Sequence, residues 1–234
     1  MVVVQQGPGN NMTSSNFLTE KEIASVESSI AEVEKRTCAE LVPVIANVSG
    51  RYERAEGLFA FAFSLIVFVS VWCMFQGISP AKGGWNLDSL TLNLPVMLVV
   101  LVLSYIVGAI LASRLPVLRL FLITKKEMCE EVERRAHESF QRFKTRNTIN
   151  GTGVLIYISL YEHMVHVVGD DAINAKLSHD DWESFCNIIL EGLKEGKPEQ
   201  GLKNGILHCG ELLAKYFPVQ AGDENELPNK INFI

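Results

Sequence analysis

Two stretches of the chain carry no charged residue, and they dominate its pattern. Residues 57–78 read GLFAFAFSLIVFVSVWCMFQGI, 22 positions without charge, and residues 94–113 read LPVMLVVLVLSYIVGAILAS, 20 positions without charge. About 20 apolar residues make a helix that crosses a bilayer core of about 30 Å. Both stretches predict such helices, with Pro95 at the start of the second, where a missing N–H costs little. A pair of small residues, Gly108 and Ala112, lies four apart on the second, a spacing that lets helices pack closely.

Elsewhere the pattern has the periods of an α/β domain. Thr19 and Glu22 form a capping box, flanked by Leu18 and Ile23. Ile23, Val26, Ile30 and Val33 follow at helical spacing. Residues 40–47 (ELVPVIAN) predict a buried strand, in which Pro43 asks for an edge or a bulge. Thr124 and Glu127 repeat the capping box, and Met128, Val132, Ala136 and Phe140 mark the next helix. Residues 153–160 (GVLIYISL) form a near-continuous β-rich run, as expected of a strand covered on both faces. Residues 164–168 (MVHVV) predict its hairpin partner across Tyr161, Glu162 and His163. Ser178 and Asp181 open a helix burying Trp182, Phe185, Cys186, Ile189, Leu190 and Leu193, and Gly196 stops it. Pro198 opens the last helix, with Leu202, Ile206, Cys209, Leu213 and Tyr216 inside and Pro218 beyond its end.

Neither flank of the apolar pair is self-sufficient. Residues 17–52 supply one helix and one strand, too little for a core. They are expected to complete the sheet begun by residues 115–218. The predicted fold is α/β, a small mixed sheet flanked by helices, interrupted by a transmembrane helical hairpin over 57–114 inserted in a βαβ crossover. Residues 1–16 lack a basic segment followed by an apolar one, so no cleavable signal is expected there. They and residues 219–234 read as tails.

Charge sets the expected orientation. Arg51 and Arg54 precede the first apolar stretch; Arg114, Arg119, Lys125 and Lys126 follow the second; the loop between holds Lys82 and Asp88. That bias puts both termini in the cytoplasm. The net charge of −6 argues against a nucleic-acid binder. Five scattered cysteines without a C-x-x-C pair read as reduced thiols used as small hydrophobes rather than a disulfide frame or a zinc site.

Several segments in order resemble the TPM-domain family. They are Thr37-Cys-Ala-Glu40-Leu-Val-Pro-Val after the first helix, residues 147–159 (NTINGTGVLIYIS), and residues 162–173 with Asp170-Asp171. The split arrangement and the closing Asn225-Glu-Leu-Pro resemble a subgroup of predicted bacterial membrane proteins. The resemblance implies a TPM-like fold and a bacterial inner membrane. Because some family members are described as acid phosphatases and others as calcium-binding, it also raises both activities for this chain.

Topology gathers the candidate chemistry. A right-handed crossover makes strands 40–47 and 153–160 parallel. Their carboxyl ends then face the bilayer, and the opposite rim collects Glu40, Arg146, Asn147, Thr148, Asn150, Gly151, Thr152, Asp170 and Asp171. Glu40, Asn150, Asp170 and Asp171 offer oxygen ligands suited to Ca²⁺ or Mg²⁺. Arg146, Asn147, Thr148, Gly151 and Thr152 are candidates for holding a phosphate or a partner. Asp170, Asp171 and Arg146 are the candidate catalytic groups of a metal-dependent phosphatase. The same residues also read as turn chemistry around Asn150-Gly151 and as a solvated strand start at Glu40. His163 and His166, three apart on a hairpin, point to opposite faces. No nucleophile elbow, P-loop or dinucleotide fingerprint occurs. The expected function is a bilayer-anchored interaction or assembly module with a protein partner and a divalent ion. The alternatives are that phosphatase and an oligomeric pore or transporter accessory.

Overall fold

The computed structural model describes residues 3–5, 17–50, 52–75, 94–115, 123–143, 145, 148, 151–219 and 225–234. Residues 1–50 and 126–234 form one unit, and residues 51–125 form a second. The elements of the first are β1 (Val3–Gln5), α1 (Glu20–Glu34), β2 (Glu40–Ala46), α4 (Lys125–Arg142), β3 (Gly153–Ser159), β4 (Met164–Gly169), a one-turn α5 (Asp171–Asn174), α6 (His179–Lys194), α7 (Pro198–Tyr216) and β5 (Asn232–Phe233). The second holds α2 (Glu53–Phe75) and α3 (Leu94–Arg114).

The sheet runs β1-β4-β3-β2-β5. β2 and β3 are parallel over their full length, from Glu40 opposite Gly153 to Ala46 opposite Ser159. β3 and β4 form the expected antiparallel hairpin. Every residue of β2 and β3 is buried, because helices cover both faces. On one face Leu41, Ile45, Val154, Ile156, Ile158, Val165 and Val167 join α1, α6 and α7 in a continuous core. The opposite face carries Tyr157 and His166, and the His166 ring meets His137 of α4 edge-on, with centroids 6.2 Å apart. Met128, Val132, Ala136 and Phe140 of α4 are buried as the periodicity predicts. In α7 the pattern overreaches by one turn: Leu202 to Leu213 are buried, but Tyr216 is exposed.

Local signals fix the helix ends. Thr19 Oγ1 accepts from the Glu22 N–H while the Glu22 carboxylate accepts from the Thr19 N–H at 2.7 Å. Ser178 and Asp181 exchange the same pair of bonds at the start of α6. Pro43 also has a clear place. Glu40 N–H and Ala46 C=O bond toward β3, so alternate residues, Leu41, Pro43 and Ile45, turn their backbone the other way. There Leu41 N–H finds the Glu34 carboxylate at 3.1 Å, and Pro43 has no N–H to satisfy.

Two short strands fall where the sequence predicts tails. β1 pairs antiparallel with β4, from Val3 opposite His166 to Gln5 opposite Met164. β5 pairs parallel with β2 at Val44 and Ile45. Strands of two or three residues have no period of their own to read, and both exist through the edge they lie on.

In the second unit, α2 and α3 are long and apolar enough to cross a membrane. Only 11% and 17% of their most apolar windows are buried, so neither is a core helix. Met97, Ser104, Gly108 and Ala112 form the buried stripe of α3. A Cβ on Gly108 would lie 3.0 Å from the Ala60 Cα, which is why a glycine stands there. The small pair therefore packs α3 against α2. Ser64 and Ser104 return their hydroxyls to Phe61 and Leu101 carbonyls of their own helices. The loop over 79–93 and most of the stretch 115–123 lie outside the described residues.

Candidate functional site

Glu40, Thr152, Gly153 and Asp170 meet at one end of the sheet. Glu40 N–H donates to the Thr152 carbonyl at 3.2 Å, and Asp170 N–H donates to the Gly153 carbonyl at 2.9 Å. Gly153 is fixed by packing: a Cβ there would fall 1.9 Å from the Thr145 carbonyl oxygen. Gly151 sits at φ +61°, a conformation that favours glycine, and faces the Asp170 carboxylate. Arg146, Asn147 and Asn150 lie outside the described residues.

The threonines of this loop hold the loop itself. Thr148 Oγ1 accepts from Thr152 N–H at 2.9 Å, and Thr152 Oγ1 donates to the Cys38 carbonyl at 2.8 Å. Both residues are buried. The structure therefore uses their hydroxyls inside the fold instead of presenting them to a phosphate.

Glu40 separates from the two aspartates. Its Oε1 accepts from Glu226 N–H at 3.1 Å, and it lines a cavity of about 320 Å³ with Glu34, Thr37, Asn225 and Asn229. Glu34 ends α1, and its Oε2 accepts from the Asn225 side-chain amide at 3.4 Å. Burial, joined by the Glu40 charge and opposed by hydrogen bonds from Leu41 and Asn229, pushes the Glu34 carboxyl up to about 8.

Asp170 and Asp171 line a second cavity, of about 260 Å³, with His137, Gln141 and Asn174. Asp170 caps α5, its Oδ1 accepting from Asp171 N–H at 2.9 Å. The residue is 7% exposed, and its Oδ2 is buried without a hydrogen-bond partner among the described residues. An orphaned buried carboxylate oxygen calls for a donor or a cation. The lining is oxygen-rich, two carboxylates with the Gln141 and Asn174 side-chain amides and the His137 imidazole beside them, but the ligand atoms of His137, Asp170 and Asp171 do not all lie within 4.8 Å of one another. His166 lies next to this cavity, fully buried, and both its ring nitrogens lack partners among the described residues. Burial, with His137 adjacent, lowers its pKa to about 4, so it is neutral.

At the opposite end of the sheet a closed polar cluster holds the chain as it leaves β2. The Glu162 carboxylate accepts from the N–H groups of Ser49 (2.9 Å) and Gly50 (3.2 Å) and from the Ser159 hydroxyl. Ser49 Oγ is 3.0 Å from the Tyr157 hydroxyl, and burial pushes that phenol up to about 12. These groups are buried and mutually satisfied, so their role is structural.

Sequence reasoning missed Glu34, His137, Gln141 and Asn174. Glu34 sits in a run of charges that reads as a solvated face. His137 and Gln141 are four apart on one face of α4, but only the fold brings that face to Asp170.

The comparisons agree with this architecture. No curated protein matches the chain. The NMR structure of the BA42 protein from the psychrophilic bacterium Bizionia argentinensis is similar at 23% identity and a TM-score of 0.57, covering 95% of this chain and 99% of that one. Residues 118–212 match the family model described as TPM domain, a span that holds Asp170, Asp171, His137 and Gln141. A TPM domain is therefore present in this chain, with the sequence match confined to residues 118–212.

Proposed function

We propose that the protein is a bilayer-anchored TPM-domain module of a bacterial inner membrane, which binds a protein partner with the help of a divalent cation. In this reading α2 and α3 are the anchor and both termini are cytoplasmic. The exposed apolar surface of the two helices supports the anchor, since such a surface is costly in water. The observation that carries the binding site is the buried Asp170 Oδ2, without a hydrogen-bond partner among the described residues, on a residue that lines a cavity with Asp171, His137, Gln141 and Asn174. Asp170 and Asp171 would hold Ca²⁺ or Mg²⁺, with Gln141 and Asn174 oxygens beside them; Glu40, turned to the other cavity, is left out. The ion would supply positive charge at an acidic rim and so admit an anionic group of the partner.

Calorimetric titration of the full chain in detergent micelles tests this. Ca²⁺ or Mg²⁺ should bind saturably, and Asp170→Asn, which keeps the shape and removes the charge, should abolish the binding. Equal binding by both proteins would end the proposal.

A second reading has one observation in its favour: the matching family model is labelled a TPM phosphatase. The same preparation should then release phosphate from a phosphomonoester in the presence of the metal, and Asp170→Asn should not. No release above the metal alone would remove this reading and leave the first intact.

A further inference from the structure

The chain closes on itself through residues 225–234, which lie along the outer edge of β2. Strand pairing is brief. Ile234 N–H donates to the Ile45 carbonyl at 3.0 Å, and the Ile234 carbonyl accepts from Asn47 N–H at 3.1 Å. The rest of the segment is held by carboxylates that reach out from the body of the fold. Glu226 N–H donates to Glu40 Oε1 at 3.1 Å, Ile231 N–H to Glu27 Oε1 at 3.1 Å, and the Asn225 amide to Glu34 Oε2 at 3.4 Å.

Donors and acceptors divide cleanly. All the acceptors among these carboxylates lie on residues 27–40, and all their donors lie on residues 225–231. Ile231 is the only residue of the segment in the hydrophobic core. Asn225, Glu226, Pro228, Lys230 and Phe233 are exposed. Asn225 and Asn229 of the segment line the 320 Å³ cavity with Glu34 and Glu40, so this part of the segment is incompletely packed against the body. A strand held by two rungs, one apolar anchor and three carboxyl acceptors is a ligand joined to its receptor by the chain.

We propose that the β2 edge, with Glu27, Glu34 and Glu40, is a strand-acceptor groove whose preferred occupant is residues 225–234, supplied by the same chain or by a second copy of it. Strand addition gives affinity through the main chain, and the side-chain sites give specificity. Here the specificity sites are the Ile231 pocket and the Glu34 carboxyl that receives the Asn225 side-chain amide, while Glu27 and Glu40 take backbone N–H groups and add affinity. The groove accepts this sequence in any chain that presents it, so neighbouring copies can exchange segments and become linked without any new interface. This interaction is independent of the cation site.

Exchange is read by cross-linking between full-length chains in detergent micelles. Cys73→Ser and Cys129→Ser first remove the accessible native thiols. Val44 and Asn232 are register partners. A double variant Val44→Cys, Asn232→Cys should form its disulfide within one chain, which verifies the docked geometry. Chains with only Val44→Cys, mixed with chains with only Asn232→Cys, should give a disulfide dimer on oxidation, and excess peptide of residues 225–234 should suppress it. If the double variant closes its disulfide but the mixture yields no dimer, the proposal is wrong. A dimer that persists unchanged under excess peptide overturns it equally.

Discussion

At the scale of single residues, position in the fold decides what each carboxylate does. Glu22 and Asp181 cap helices and stay well below the usual carboxylate range, held there by the Thr19 and Ser178 hydrogen bonds they accept. Glu34, half-buried at the end of α1, is pushed up to about 8 by its desolvation, with the Glu40 charge adding to it. The folded chain thus keeps a proton that an unfolded Glu34 releases near 4.5. Its contribution to stability is full below that value and is lost as pH rises through about 8. Thermal unfolding of the full chain should therefore become easier between about pH 4.5 and 8 and level off above, by at most about 1.4 kcal/mol per pH unit for one proton. Glu34→Gln, permanently neutral, should flatten that dependence and raise stability at pH 9. An unchanged slope in the variant would mean that other groups set it.

Elements follow from local chemistry where they are long enough to carry a signal. Ser178 illustrates this. Its hydroxyl and the Asp181 carboxylate satisfy two backbone N–H groups at the start of α6. Ser178→Ala should lower stability by about 1 kcal/mol in a urea titration followed by circular dichroism. A loss within error would show that α6 is held by its buried face alone, through Trp182, Phe185 and Ile189. The Thr19 and Ser178 caps, the apolar stripes of α1, α4 and α6, and the parallel pairing of β2 with β3 were legible for the same reason: each repeats a physical requirement over several residues. β1 and β5 were not legible, since two or three residues carry no period. Half of the site was hidden in the same way. Asp170 stood out because a doubled aspartate after a strand is conspicuous. Its neighbours His137 and Gln141 come from a helix about thirty residues earlier, and only packing joins them. The Thr148 and Thr152 hydroxyls looked available in a polar loop and are consumed by its closure.

For the whole molecule, the informative feature is an α/β unit assembled from two distant pieces of chain. β2 contributes the strand beside β3, and 106 residues separate the last position of β2 from the first of β3. α2, α3 and α4 all lie between. Both ends of the α2–α3 insert must return to the same folded unit, so an insert that spans a bilayer has to do so as an even number of helices. Two apolar helices satisfy that rule. Basic residues flank the pair at Arg51, Arg54, Arg114, Arg119, Lys125 and Lys126, against Lys82 alone between the helices. The charge bias predicts that both flanks face the cytoplasm. Reporters active only in the cytoplasm, fused at either terminus, should both be active, and one inserted within residues 79–93 should be silent. Reporters at the two termini that disagree would be incompatible with a single sheet containing β2 and β3. Agreement on the outer side would preserve the fold and reverse the compartment that Asp170 occupies.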